Sequence, residues 1–245
     1  MQKFRRFVSA IGIAILSIGI ILAVDTHSAI AQNHHHHEIS PADLPTEVRT
    51  LTSDEASAER FVNQGLEKMQ QSEYESAIAD FTQAVQLNPQ HDSAYLNRGD
   101  ARRKLGEYQE AIADYTQAIQ NNPTFSDLYN TRGAAREIIG DYKGAIDDYT
   151  MGIKLYPEDG IGYSGRGGVY YQLGDVKKAM RDLNTAIQLN PSRAEAYHNL
   201  GKLYTKLGNS AQALAHYQTA ANIYSQQGKI VDYIRNINLV KSIQP

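Results

Sequence analysis

Residues 92 to 125 read DSAYLNRGDARRKLGEYQEAIADYTQAIQNNPTF, and residues 126 to 159 read SDLYNTRGAAREIIGDYKGAIDDYTMGIKLYPED. Laid one over the other without a gap, both segments have Tyr at the fourth place, Arg-Gly at the seventh and eighth, and Ala at the twentieth. Both also have Asp-Tyr at the twenty-third and twenty-fourth and Pro at the thirty-second. The step of 34 residues continues in both directions. Gly65, Gly99, Gly133, Gly167 and Gly201 keep it, as do Ala77, Ala111, Ala145, Ala179 and Ala213. Phe61, Tyr95, Tyr129, Tyr163 and Tyr197 recur in the same register, and so do Pro89, Pro123, Pro157 and Pro191. The units therefore run 58–91, 92–125, 126–159, 160–193 and 194–227, with Ser225 in place of Pro in the last.

Each unit predicts two helices of about a dozen residues separated by a turn at Gly106-Glu107, Gly140-Asp141, Gly174-Asp175 or Gly208-Asn209. In the second unit Tyr95, Leu105, Ile112, Tyr115 and Ile119 fall at helical spacing and are expected to form the buried stripe. Gly99 and Ala111 lack bulk, so the paired helices can approach closely. The prolines end each second helix, because Pro donates no backbone hydrogen bond and turns the preceding residue away from helix. Thr52 and Glu55 have the spacing of a capping box that can start the first helix. After the fifth unit, Ile230, Ile234 and Ile237 make an apolar stripe, expected to cover the open end of the stack as a capping helix within 228–245.

The period, the aromatic opening, Gly at the eighth place, Ala at the twentieth, the aromatic near the twenty-fourth and the closing Pro together resemble the tetratricopeptide repeat (TPR). The likeness covers about 170 residues, with Tyr or Phe where the family often has Trp. It implies an all-α, right-handed α-solenoid of five helix-turn-helix repeats plus the C-terminal capping helix.

With 42% apolar residues the chain can bury a core. Its 24 Lys+Arg against 27 Asp+Glu, with no long basic run, leave no electrostatic footprint for a phosphate backbone, so nucleic acid is not an expected partner. The absence of Cys excludes thiolate metal sites, disulfides and thiol nucleophiles. Lys3, Arg5 and Arg6, then eighteen uncharged residues from Phe7 to Val24, then Ala29-Ile30-Ala31 have the layout of an export signal cleaved after Ala31. An uncleaved membrane anchor is the alternative, and in that case alone is a membrane a partner. Either reading places the repeats outside the cytoplasm, in the periplasm or at the cell surface. Residues 32–52, with Pro41 and Pro45, read as a flexible polar linker. Within them His34 to His37 are candidate metal ligands without fixed geometry, and are read as a spacer.

Catalytic motifs fail on context. Gly160, Gly162 and Gly165 match the dinucleotide fingerprint, but no strand precedes them and all three sit in a helical repeat already in register. Ser164 misses the nucleophile-elbow spacing by one place. His91, His198 and His216 lie in different units. The chain is read as a non-enzyme without cofactor. Arg98, Arg132 and Arg166 at the seventh place are matched by Asp114, Asp148 and Asp182 at the twenty-third, and in the fifth unit both change together, to Leu200 and His216. Partly buried structural ion pairs are expected.

In a stack of helix pairs the first helices line the concave side. The TPR resemblance implies that this groove holds a peptide or helix of another protein. It places Leu96, Asn97, Asp100, Arg103 and Lys104 there from the second unit, and Asp127, Asn130 and Glu137 from the third. Ser164, Gly168 and Tyr171 follow from the fourth, and His198, Asn199, Lys202 and Lys206 from the fifth. Asn63, Asn97 and Asn199 echo a family carboxylate clamp, but Val62 and Leu96 stand where the clamp needs Lys. The first helix of the fourth unit holds Gly165 and Gly168 beyond the Gly167 that the repeat requires. Either they open a notch beside Tyr171 or they are drift tolerated in a helix held by its neighbours. The expected function is a protein-interaction scaffold, with a membrane-anchored assembly factor as runner-up and a metal-responsive role of the His tract behind it.

Overall fold

The computed structural model describes residues 52–243. The export signal, most of the linker and the His34 to His37 run lie outside the described residues. Among those described there are eleven helices and no strand. They pair as α1 (Ser53–Gln70) with α2 (Tyr74–Leu87), α3 (Asp92–Leu105) with α4 (Tyr108–Asn121), and α5 (Ser126–Ile138) with α6 (Tyr142–Leu155). Next come α7 (Gly160–Gln172) with α8 (Val176–Leu189), α9 (Ala194–Lys206) with α10 (Ser210–Gln226), and a terminal α11 (Ile230–Ile243). The unit boundaries at Asp92, Ser126, Gly160 and Ala194 coincide with helix starts. α1 starts earlier than Ala58 because Thr52 and Glu55 close the reciprocal capping box.

Local chemistry sets both turns of each unit. Gly106, Gly140, Gly174 and Gly208 take φ of 73–85°, the left-handed region, and the following N–H reaches back five residues, as Glu107 does to the Arg102 carbonyl at 2.9 Å. That is a Schellman closure, which satisfies carbonyls the ending helix leaves open. The other turn is made by Pro. Asn88, Asn122, Tyr156 and Asn190, each just before a proline, are pushed to φ between −133 and −141°. The second helices with Pro behind them are all 14 residues long, whereas α10, with Ser225 instead, continues for 17.

Packing follows the repeat with one shift of emphasis. Of the second unit's expected stripe, Tyr115 and Ile119 are buried while Tyr95, Leu105 and Ile112 are only half-buried. The deepest places belong to alanines, including Ala94, Ala101, Ala111 and Ala118. Small residues let the helices close, and the aromatic at the twenty-fourth place then fills the gap against the repeat glycine. A Cβ on Gly99 would stand 2.6 Å from the Tyr115 ring, and one on Gly133 3.2 Å from the Tyr149 ring.

The stripe expected to cap the stack is reversed. Tyr233, Asn236, Leu239 and Val240 of α11 face the fifth unit, while Ile230 and Ile234 stay exposed and Ile237 is half-buried. A polar anchor decides the face, since Asn236, 1% exposed, bonds His198 across the interface at 2.9 Å. Leaving that amide in water and burying isoleucine instead would strand the His198 ring without its partner.

Candidate functional site: the first-helix face

Each helix packs on the next in sequence, and in addition α1 touches α3, α5 touches α7 and α7 touches α9. No comparable contact joins successive second helices. The stack is therefore tighter along its first helices, which places them on the inside of the curve.

Structural ion pairs hold these helices in register. Arg98 grips Asp114, Arg132 grips Asp148 and Arg166 grips Asp182, with the nearest contacts at 2.6, 2.6 and 2.7 Å. All three carboxylates are buried. Each guanidinium also donates to a Thr of the preceding unit: Thr82, Thr116 or Thr150. It lies as well over its own unit's Tyr95, Tyr129 or Tyr163. The expected pair is thus intra-unit, with a stitch to the neighbour that the sequence reading missed. In the fifth unit His216 stacks on Tyr204 instead, with ring centroids 5.3 Å apart.

Two expected groove residues are committed elsewhere. Leu96 packs into the apolar clusters that join the second and third units. His198 holds α11 through Asn236, and burial lowers its pKa below the usual value. In the second unit Asp100 accepts the Tyr115 hydroxyl at 3.0 Å and pairs with Arg103 at 3.3 Å, so these charges neutralise one another. Asn97 is half-buried, and Lys104 and Asp127 are exposed.

Asn130, Glu137, Ser164 and Asn199, from three successive first helices, line one cavity of about 310 Å³. Ala134, Tyr149, Ile161, Gly165, Arg193 and Glu195 complete its wall. The reading by sequence overlooked Tyr149, Arg193 and Glu195, because the register assigns the first to the core and the others to a helix start. Glu137 accepts the Tyr149 hydroxyl at 3.2 Å, and burial pushes its carboxyl above the usual range. Asn130 is 5% exposed, and its Oδ1 has no hydrogen-bond partner. Beside the cavity, Lys202 and Lys206 both hold their ammonium groups over the Tyr171 ring, at 4.9 and 5.6 Å from its centre.

Close packing accounts for Gly160, Gly162 and Gly165 of α7. A Cβ on Gly160 would meet the Ala186 carbonyl at 2.9 Å, one on Gly162 would meet Ile153 at 2.8 Å, and one on Gly165 would collide with the Tyr149 ring. A Cβ on Gly168 would stand 3.1 Å from Asn199 and 3.6 Å from Glu137. Gly168 thus leaves clear the space beside those two groups. Three of these glycines also answer the dinucleotide fingerprint, since Gly160, Gly162 and Gly165 face packed protein. Among the described residues no three His, Asp or Glu side chains are grouped to hold a metal, and no helix is long and apolar enough to cross a membrane.

Repeated helix hairpins stacked in this manner define a helical-repeat protein. Family models described as tetratricopeptide repeat match residues 62–124 and 194–227, and one described as TPR repeat matches 167–208. The chain belongs to the tetratricopeptide repeat family. No curated protein matches its sequence. Solved structures share the fold. A thermophilic TPR protein of Thermus thermophilus is 22% identical, with 75% of this chain and 98% of that one covered and a TM-score of 0.62. MamA 41-end from Desulfovibrio magneticus RS-1 is 18% identical, covering 73% and 99%, with a TM-score of 0.62. YrrB, described as a TPR protein with an unusual peptide-binding site, is 19% identical, covering 76% and 98%, with a TM-score of 0.54.

Proposed function

We propose that the protein is a non-catalytic scaffold that holds an extended segment of another protein along its first-helix face, outside the cytoplasm. The observation that carries this reading is the convergence of Asn130, Ser164 and Asn199 from three consecutive units on one cavity. Amide and hydroxyl side chains presented by successive first helices suit the hydrogen-bonding groups of a peptide backbone. Glu137 argues in the same direction: a half-buried carboxyl that stands in no ion pair lowers stability, and such groups persist where a site uses them. YrrB, whose fold this chain shares, is described as having a peptide-binding site. Location rests on the export layout of residues 1–31.

A photo-crosslinking residue placed at Tyr171, on this face, and in a second variant at the exposed Tyr156, tests the reading in the native host. Partner peptides joined at position 171 and absent at 156 support it, and equal labelling at both would reject it. N-terminal sequencing of the recovered protein tests export, with Gln32 as the expected first residue. A chain still carrying Phe7 to Val24 would instead make it the anchored assembly factor.

A further inference from the structure

The cavity between α5, α7 and α9 has an unequal charge account. Arg193 on its wall lies 3.9 Å from Asp159, and Glu195 lies 3.3 Å from Lys229. Each thus has a counter-charge, while Arg193 Nε is buried without a hydrogen-bond partner. Glu137 has none: its one hydrogen bond comes from the neutral Tyr149 hydroxyl, and it stands in no ion pair among the described residues. The second unit shows what a completed version looks like. There the equivalent Tyr115 donates to Asp100, and Arg103, at the same place in its unit as Glu137, supplies the cation. In the third unit Ala134 replaces Asp100 and Glu137 replaces Arg103, so the carboxylate is kept and the cation is removed.

A second observation lies on the same wall. Asn130 is nine-tenths buried, and its Oδ1 has no partner. Ser164, also buried, adds a hydroxyl. Gly168 leaves clear the space that a side chain would take beside Asn199 and Glu137. A volume of about 310 Å³ is at the lower end of ligand sites, suited to one long side chain rather than a whole small molecule.

From these features we infer that the cavity is a specificity pocket for a basic side chain, Lys or Arg, carried by the protein segment that lies on this face. The inference rests on the groove reading above and adds the chemistry of its partner. The ammonium or guanidinium of the guest donates to the Glu137 carboxylate, while its aliphatic stem lies against Ile161 and the Tyr149 ring. Lys202, whose charge already acts on Glu137 from α9, is the internal competitor that the guest displaces.

Random peptides displayed on phage, selected against the full chain and against its Glu137→Gln variant, test this. The expected result is a basic residue recurring at one position of the peptides that bind the wild type, and no such preference on Glu137→Gln. Replacing that Lys by norleucine in a selected peptide should weaken wild-type binding by about tenfold or more, the scale of a hydrogen bond to a charged group. Circular dichroism and urea unfolding establish that the variant is folded. Lys202→Gln, on the protein surface, gives an independent arm in which basic peptides should bind more tightly. Enriched peptides without a basic preference, or weaker binding to Lys202→Gln, overturn the pocket while leaving the groove reading standing. No enriched peptide at all overturns both.

Discussion

Arg132 reaches across its helix pair to Asp148, with Nη2 donating to Oδ1 at 2.6 Å and Nε donating to Oδ2 at 3.0 Å. The same carboxylate accepts a third bond, from Arg136 at 2.8 Å. Asp182 has no such second cation close by: Arg166 holds it at 2.7 Å, and Arg181 is exposed with its nearest contact at 3.6 Å. The two sites look alike in sequence and differ in how far the buried charge is shared.

That difference predicts unequal costs. Arg166→Met leaves the Asp182 carboxylate buried and nearly unpaired, which should cost about 3–5 kcal/mol. Arg132→Met leaves Asp148 its bond from Arg136 and should cost about half as much. Urea unfolding of the two variants measures both values. Equal losses would mean that Arg136 does not share the load.

At the turn between α1 and α2, Ser72 occupies the register place of Gly106 and its equivalents and has φ of 63°. A side chain in this region costs about 1–2 kcal/mol, part of which is offset because Gly has more freedom to lose on folding. Ser72→Gly should therefore stabilise the first unit by about 1 kcal/mol, measured as a higher urea midpoint. A lower midpoint would show that Ser72 makes compensating contacts.

How far the sequence could be read follows from what the repeat encodes. Places shared by all units, such as the eighth-place Gly and the twentieth-place Ala, with the Pro turn of the first four, carried the fold, because one physical reason recurs at each copy. The candidate site was legible only in part. Asn130, Glu137, Ser164 and Asn199 were found from their helix places, but their meeting in one cavity depends on the step between units. Tyr149 was hidden because its ring serves the core while its hydroxyl serves the site. α11 was misread for a related reason: Ile230, Ile234 and Ile237 outweigh Asn236 by hydrophobicity, but the half-buried His198 ring selects the amide. Outside the repeat there was no second copy to correct the reading.

The end of the stack should respond to acid. Burial lowers the pKa of His198 below its usual 6.5, against a raising contribution from the Asn236 bond, with Lys202, Arg235 and Asp232 facing it. Burial also lowers that of His216. The unfolded chain therefore binds protons more readily than the folded one. Stability is fully present above about pH 6.5 and is lost as pH falls from there through the folded values. Hydrogen exchange at pH 7.5 and 5.5, corrected for intrinsic rates, should show protection falling in α11 and α10 more than in α2 and α4. His198→Gln should reduce that difference. A uniform change along the chain would contradict this assignment.

Glu137 has the opposite linkage and exposes a conflict between stability and the site. Burial raises its pKa above the usual 4.5, although the Tyr149 bond and Lys202 pull the other way. The folded state thus holds this proton more readily than the unfolded state. The contribution is favourable at low pH and is lost as pH rises from about 4.5 through the folded value. At neutral pH an ionised Glu137 destabilises the third unit, and Glu137→Gln, which can still accept from Tyr149, removes that charge. The variant should melt above the wild type at pH 7, with the gap narrowing toward pH 4, as thermal unfolding at both pH values measures. A gap that is absent at pH 7, or that widens in acid, would mean the carboxylate is already satisfied within the chain. It would then have no vacancy to offer a basic guest.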